Sequence, residues 1–108
     1  MNLIEDVTEL LNKKKAYDIE VVSMNSEYFV DKVLIATTLG DKHTLSLIDQ
    51  LKKELKFHKI QYMEEGDSWS VIDFGDTIVH LMTEDYRKIY KLEEFLISLN
   101  KKNSETSF

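Results

Sequence analysis

The period of apolar and polar residues changes several times along the chain, and each change marks an element. Leu3, Ile4, Val7, Leu10 and Leu11 recur at the spacing of one helical face across residues 2–14. Lys13, Lys14 and Lys15 follow, where cations complement the carbonyl end of a helix. YDIEVVSM (17–24) reads as a strand, and 25–31 as a connecting turn. KVLIATT (32–38) carries four consecutive apolar residues, which suits a strand buried on both faces. Helical spacing then returns. Leu47, Ile48, Leu51 and Leu55 form the stripe of a long helix, capped by Thr38 or Gly40, with Asp41 near its positive end. KIQYME (59–64) alternates like an edge strand, and EEGD (64–67) is a turn.

Strict alternation is clearest in WSVIDFGDTIVH, residues 69–80. WSVIDF and TIVHLM flank the pair Gly75-Asp76, and glycine in the first loop position suits a type II′ hairpin. That turn predicts the register. Phe74 faces Thr77, Ile72 faces Val79 and Ser70 faces Leu81 on one side of the ribbon. Asp73 meets Ile78, Val71 meets His80 and Trp69 meets Met82 on the other. The first face is core. The second mixes apolar bulk with Asp73 and His80, which suits contact with a partner as well as burial. Thr83 then caps one or two short helices, with acids in the first turn.

The predicted order is helix, strand, strand, helix, strand, strand, strand, helix. Strands 1 and 2 are too close for a helical crossover, so they are expected antiparallel. Strand 2, helix 2 and strand 3 are expected to form a right-handed parallel unit. The fold class is therefore α/β (α+β), a mixed sheet of about five strands with flanking helices.

Composition narrows the function. The 108 residues suit one domain. Cysteine is absent, which excludes disulfides, thiolate metal sites and cysteine nucleophiles and fits a reducing cytoplasm. No apolar run reaches the roughly 20 residues of a membrane span. The net charge is −6, and Arg87 is the single arginine. Phosphate backbones need clustered Lys and Arg, so little or no direct nucleic-acid binding is expected. An acidic surface favours a basic partner.

Candidate chemistry is thin. Asp73 and Asp76 invite a magnesium-dependent reading, but they sit on either side of a tight turn and no phosphate-binding glycine loop accompanies them. His43, His58 and His80 show no metal-ligand spacing, so no metal and no cofactor is expected. His43 lies in the first turn of a helix, where it can order the loop before it. Ser68, Ser70 and Thr44 lack a nucleophile elbow. Trp69 stands out, because tryptophan is favoured at binding hot spots and here occupies the mixed sheet face.

Trp69, Asp73, Phe74, Gly75, Asp76 and His80, followed by Arg87, Tyr90, Leu92 and Glu93, resemble the signature of the ribosomal silencing factor (Iojap-like) family. Upstream, Asp31, Ile35, Ala36, Thr37 and His43 match a looser motif, in which Lys32, Val33, Thr38, Gly40 and Lys42 depart from the family pattern. The likeness covers residues 2–96 in order and spacing. It implies a nucleotidyltransferase-like fold without the catalytic motif, over a domain expected at 1–99, while the polar composition of 100–108 predicts a disordered tail. It also implies no enzymatic activity but translational repression in the cytoplasm. The factor binds the large ribosomal subunit through its basic universal protein fourteen and sterically blocks joining of the small subunit when nutrients are short. Organelle relatives assist large-subunit assembly. Trp69, Asp73, Asp76, Ile78, His80 and Met82 are the expected contact residues, with Glu64 and Glu65 as acidic rim. The protein is expected as a monomer or weak homodimer. Two alternatives stand beside this reading: a small enzyme using Asp73, Asp76 and magnesium, and a dimerisation module whose sheet face pairs with itself.

Overall fold

The structure, a computed structural model, describes residues 2–25 and 30–106, with the backbone alone from 102 onward. Most of the connection expected at 25–31, including Tyr28 and Phe29, lies outside the described residues. The elements are α1 (Leu3–Lys13), β1 (Tyr17–Ser23), β2 (Lys32–Thr38), α2 (Asp41–Glu54), β3 (Tyr62–Glu64), β4 (Trp69–Asp73), β5 (Thr77–Thr83), α3 (Glu84–Ile89) and α4 (Leu92–Thr106).

The helix ends follow from local chemistry. Asn2 caps α1, its side-chain oxygen accepting the amide N–H groups of Ile4 and Glu5. Gly40 caps α2 without a side-chain bond, while the Thr38 and Thr44 hydroxyls pair at 2.7 Å beneath that first turn. His43 orders the loop before α2, as expected. Its Nδ1 accepts the Leu39 N–H at 2.8 Å, which leaves Nε2 protonated to donate to the Lys14 carbonyl at 2.7 Å.

One five-stranded sheet runs in the order β1-β2-β5-β4-β3. β1 is antiparallel to β2, and β2 is parallel to β5. The predicted β2–α2–β3 unit is corrected. β3 runs in the same direction as β2 but pairs antiparallel with β4 at the far edge, because β4 and β5 fold back as a hairpin and β5 takes the place beside β2. The seven residues of β5, apolar at Ile78, Val79, Leu81 and Met82, suit that central position better than the three residues of β3.

The two sheet faces are covered unequally. One face carries Leu34, Ala36, Ile72, Val79 and Leu81 against Val7, Leu10 and Leu11 of α1 and Leu47, Ile48 and Leu51 of α2. The other face has a smaller core of Val22, Val33, Ile35, Met82 and Leu96, with Trp69, Leu92 and Leu99 packed on it. α4 thus covers the β1–β2 side of that face and leaves the β3–β4 side open. α4 also runs to Thr106, so the tail boundary expected at 100 falls inside a helix. Asn100 helps to hold it there. Its Nδ2 donates to the Ser23 carbonyl at 2.8 Å, and its Oδ1 accepts the Asn25 N–H at 3.0 Å.

From α3, Arg87 reaches three other elements, β1, β2 and α4. Its Nη1 donates to the Asp18 carbonyl at 2.8 Å and to the Thr37 hydroxyl at 2.9 Å. Its Nη2 lies 3.7 Å from Glu20 and 3.6 Å from Glu93. Asp18 sits at φ +47° where the β1–β2 register shifts, so the guanidinium pins an edge-strand bulge. The Glu93 Oε2 is buried with no hydrogen-bond donor among the described residues, so Arg87 is its compensating charge. Arg87→Ala is expected to lower stability by about 3 kcal/mol, because it strands a partly buried carboxylate. Arg87→Lys recovers only part of that loss, since an ammonium cannot reproduce the guanidinium fork. Urea unfolding of the three proteins measures both effects.

Candidate docking face

The β4–β5 hairpin places the sequence-predicted residues, and its register is the predicted one. Ser70 pairs with Leu81 and Ile72 with Val79 on the core side; Asp73 pairs with Ile78, Val71 with His80 and Trp69 with Met82 on the other. Phe74 donates its N–H to the Thr77 carbonyl at 2.9 Å to close a two-residue loop. Gly75 has φ +101° while Asp76 stays out of the left-handed region, in keeping with a type II′ turn.

The two aspartates take different roles in the turn. Asp73 shapes the turn, its Oδ1 accepting the Gly75 N–H at 2.7 Å. The Asp76 carboxylate is exposed at the tip, and its backbone carbonyl accepts the N–H groups of Asp31 at 2.7 Å and Lys32 at 3.2 Å, anchoring the start of β2. The two carboxylates do not converge, and no cluster able to hold a metal occurs among the described residues. The candidate nucleophiles are likewise occupied. Ser70 is fully buried and hydrogen-bonded to the Gly66 backbone, Ser68 donates to Asp41 at 3.3 Å, and Thr44 donates to the Gly40 carbonyl at 3.0 Å.

Of the predicted contact residues, Trp69, Asp73, Ile78 and His80 are half-buried on the second sheet face. Met82 is corrected: it is 0% exposed, sealed in the small core with Leu96. Glu64 is exposed and paired with Val71, so both lie on the same face. Glu65 is held by Lys52 at 3.0 Å and offers less free charge than Glu64. Sequence reasoning placed Val71 on this face without naming it as a contact, and did not assign Tyr62, Tyr86 and Tyr90 to it. Tyr62 pairs with Asp73 and is 58% exposed, so it extends the face onto β3. Its phase with Glu64 was a readable signal. Tyr86 in α3 and Tyr90 at its C-cap carried no signal of this placement, although Tyr90 belongs to the family-like signature, because only tertiary folding brings them to Trp69.

Trp69 is the centre of a small aromatic group. Its ring centroid lies 5.3 Å from Tyr90, 5.9 Å from His80 and 6.5 Å, edge-on, from Tyr86. Its Nε1–H donates to His80 Nδ1 at 3.0 Å. His80 therefore keeps its own proton on Nε2. Burial pushes the His80 pKa down to about 4, so the imidazole is neutral at physiological pH and accepts the indole N–H. The face presents rigid aromatic and β-branched bulk with acids around it.

The depressed His80 pKa predicts a pH dependence. In the unfolded chain this histidine titrates near 6.5, so above that pH both states are neutral and the full stability is present. As pH falls from about 6.5 to about 4, the unfolded chain takes up a proton that the folded chain refuses, and stability drops by about 2 kcal/mol. His80→Asn, which retains an acceptor for the indole, removes that component. Urea midpoints of both proteins across this pH range give the difference, in which the shared carboxylate contributions cancel.

Comparison with known proteins places this arrangement. The family model described as "Ribosomal silencing factor during starvation" matches residues 1–107. The chain is 31% identical over 99 residues to the ribosomal silencing factor RsfS of Haemophilus influenzae, covering 87% of this chain and 97% of that protein. It is 28% identical to the mouse "Mitochondrial assembly of ribosomal large subunit protein 1", covering 84% of this chain but 43% of that longer protein. Among solved structures, a Bacillus halodurans protein superposes with TM-score 0.74 at 27% identity, covering 86% of this chain and 91% of that one. A Chromobacterium violaceum protein shares the fold with TM-score 0.78, covering 89% and 87% at 24% identity. With its hairpin signature, its mixed five-stranded sheet and a match along nearly its whole length, the chain belongs to the ribosomal silencing factor family.

Proposed function

We propose that this protein represses translation in the cytoplasm by binding the large ribosomal subunit through its universal protein fourteen and blocking the approach of the small subunit. The observation that carries the reading is the open half of the second sheet face. There Tyr62, Val71 and Ile78 lie beside the Trp69–Tyr86–Tyr90 group, with Glu64 and Asp76 exposed at the margin. An aromatic centre with an acidic rim is complementary to a basic ribosomal protein. Obstruction requires affinity and placement alone, so the mechanism asks for no nucleophile, metal or cofactor. The chain acts as a monomer in this reading, since the same face would be covered in a self-paired dimer.

The relative named for mitochondrial large-subunit assembly supports a second reading, in which the same docking occurs on an assembling subunit. Loss of the protein would then accumulate large-subunit precursors. Steric repression predicts normal subunits and an excess of joined ribosomes during starvation.

Two substitutions test the face. Trp69→Ala is expected to weaken large-subunit binding by about 2 kcal/mol, the loss of a hot spot. Ile78→Arg places a cation against a basic partner and should weaken it by about tenfold or more. Pelleting with isolated large subunits measures both, with circular dichroism confirming the fold. Gradient profiles of mixed subunits should show joining suppressed by the wild type and restored with either variant. If both folded variants pellet like wild type, the docking face lies elsewhere.

A further inference from the structure

The opposite side of the molecule holds a groove that the docking face does not use. It lies between α1 and the turn that follows α2, and its volume is about 620 Å³, within the range of small-ligand and peptide sites. Leu10 and Leu55 form its apolar floor, and both belong to the main core beneath α1 and α2. Phe57 stands at its edge and is 99% exposed, an aromatic ring with no covering neighbour. His58 and Asp6 form one wall, paired at 2.8 Å. Glu9 and Glu54 line the groove and make no ion pair among the described residues, against the single cation Lys13. With Asp6 engaged by His58, the charge left facing the groove is net negative.

We infer that this groove binds a basic amphipathic segment of a partner protein, one that inserts a large apolar side chain against Leu10, Leu55 and Phe57 and sets Lys or Arg beside Glu9 and Glu54. Charge complementarity selects that occupant. A second copy of this acidic chain would bring like charge to the rim, and an anionic ligand would meet the same two carboxylates. An exposed phenylalanine beside an apolar floor supplies the hydrophobic anchor that a short segment needs. The groove and the Trp69 face lie on opposite sides of the sheet, so both can be occupied at once.

The test uses the full chain and no ribosome, and Ile78→Arg, which disables the docking face alone, should bind the probe like wild type. A short fluorescein-labelled amphipathic helix of leucine and lysine is titrated by anisotropy, and the same helix with glutamate in place of lysine serves as the comparison. Saturable binding of the lysine peptide, weakened about tenfold in Phe57→Ser and again in Glu9→Lys, is expected. Amide shifts in labelled protein should map to Asp6, Leu10, Leu55 and His58. Phe57 is fully exposed, so its replacement leaves the fold intact. The inference is overturned if the wild type shows no saturable binding, if the glutamate peptide binds equally well, or if Phe57→Ser binds like wild type.

Discussion

The packing of Leu92, Leu96 and Leu99 over Val22, Val33, Ile35 and Met82 decides what this molecule can offer a partner. A sheet with apolar residues on both faces must bury both, and the chain divides its helices unevenly between them. α1 and α2 seal one face along its length. α4 reaches only part of the other, from β1 to the C-terminal end of β5. Where α4 stops, Trp69 is half covered and Val71, Ile78 and Tyr62 remain open. The open surface is thus the remainder of an incomplete core rather than a patch added to a finished one.

Arg87 fixes where α4 starts. The guanidinium binds the bulged edge of β1, the end of β2 and Glu93 at the start of α4. That fixes the α3–α4 junction, and with it Tyr86 and Tyr90, which flank the indole. The single arginine of an acidic chain is spent on internal geometry. The chain as a whole carries a net charge of −6.

The Trp69–His80 hydrogen bond shows how such a face is kept rigid. An indole N–H free to rotate toward solvent would cost ordering entropy on binding; here it is already satisfied within the protein. The neutral imidazole that accepts it depends on burial, so the same contact that preorganises the surface is weakened by acid.

Alternation and turn chemistry determined much of this from the chain alone. Glycine before aspartate, between two alternating runs, set the β4–β5 register residue by residue, because a two-residue loop permits only one pairing of the flanking strands. The helical stripes of α1 and α2, the doubly buried β2, the role of His43 and the acidic, cysteine-free surface were equally legible, since each rests on neighbours in sequence. Other features depended on contacts distant in sequence. Which strand lies beside β2 was decided by competition between β3 and β5 for a central slot, and the longer apolar strand took it. Met82 and Ile78 share one strand and one phase, yet only Met82 is sealed, because α4 arrives over one and not the other. Asp73 and Asp76 differ for a similar reason. The turn orients one carboxylate onto its own backbone and leaves the other in water, and no pattern of residue types encodes which. Sequence periodicity names the face; three-dimensional packing determines how much of it stays open.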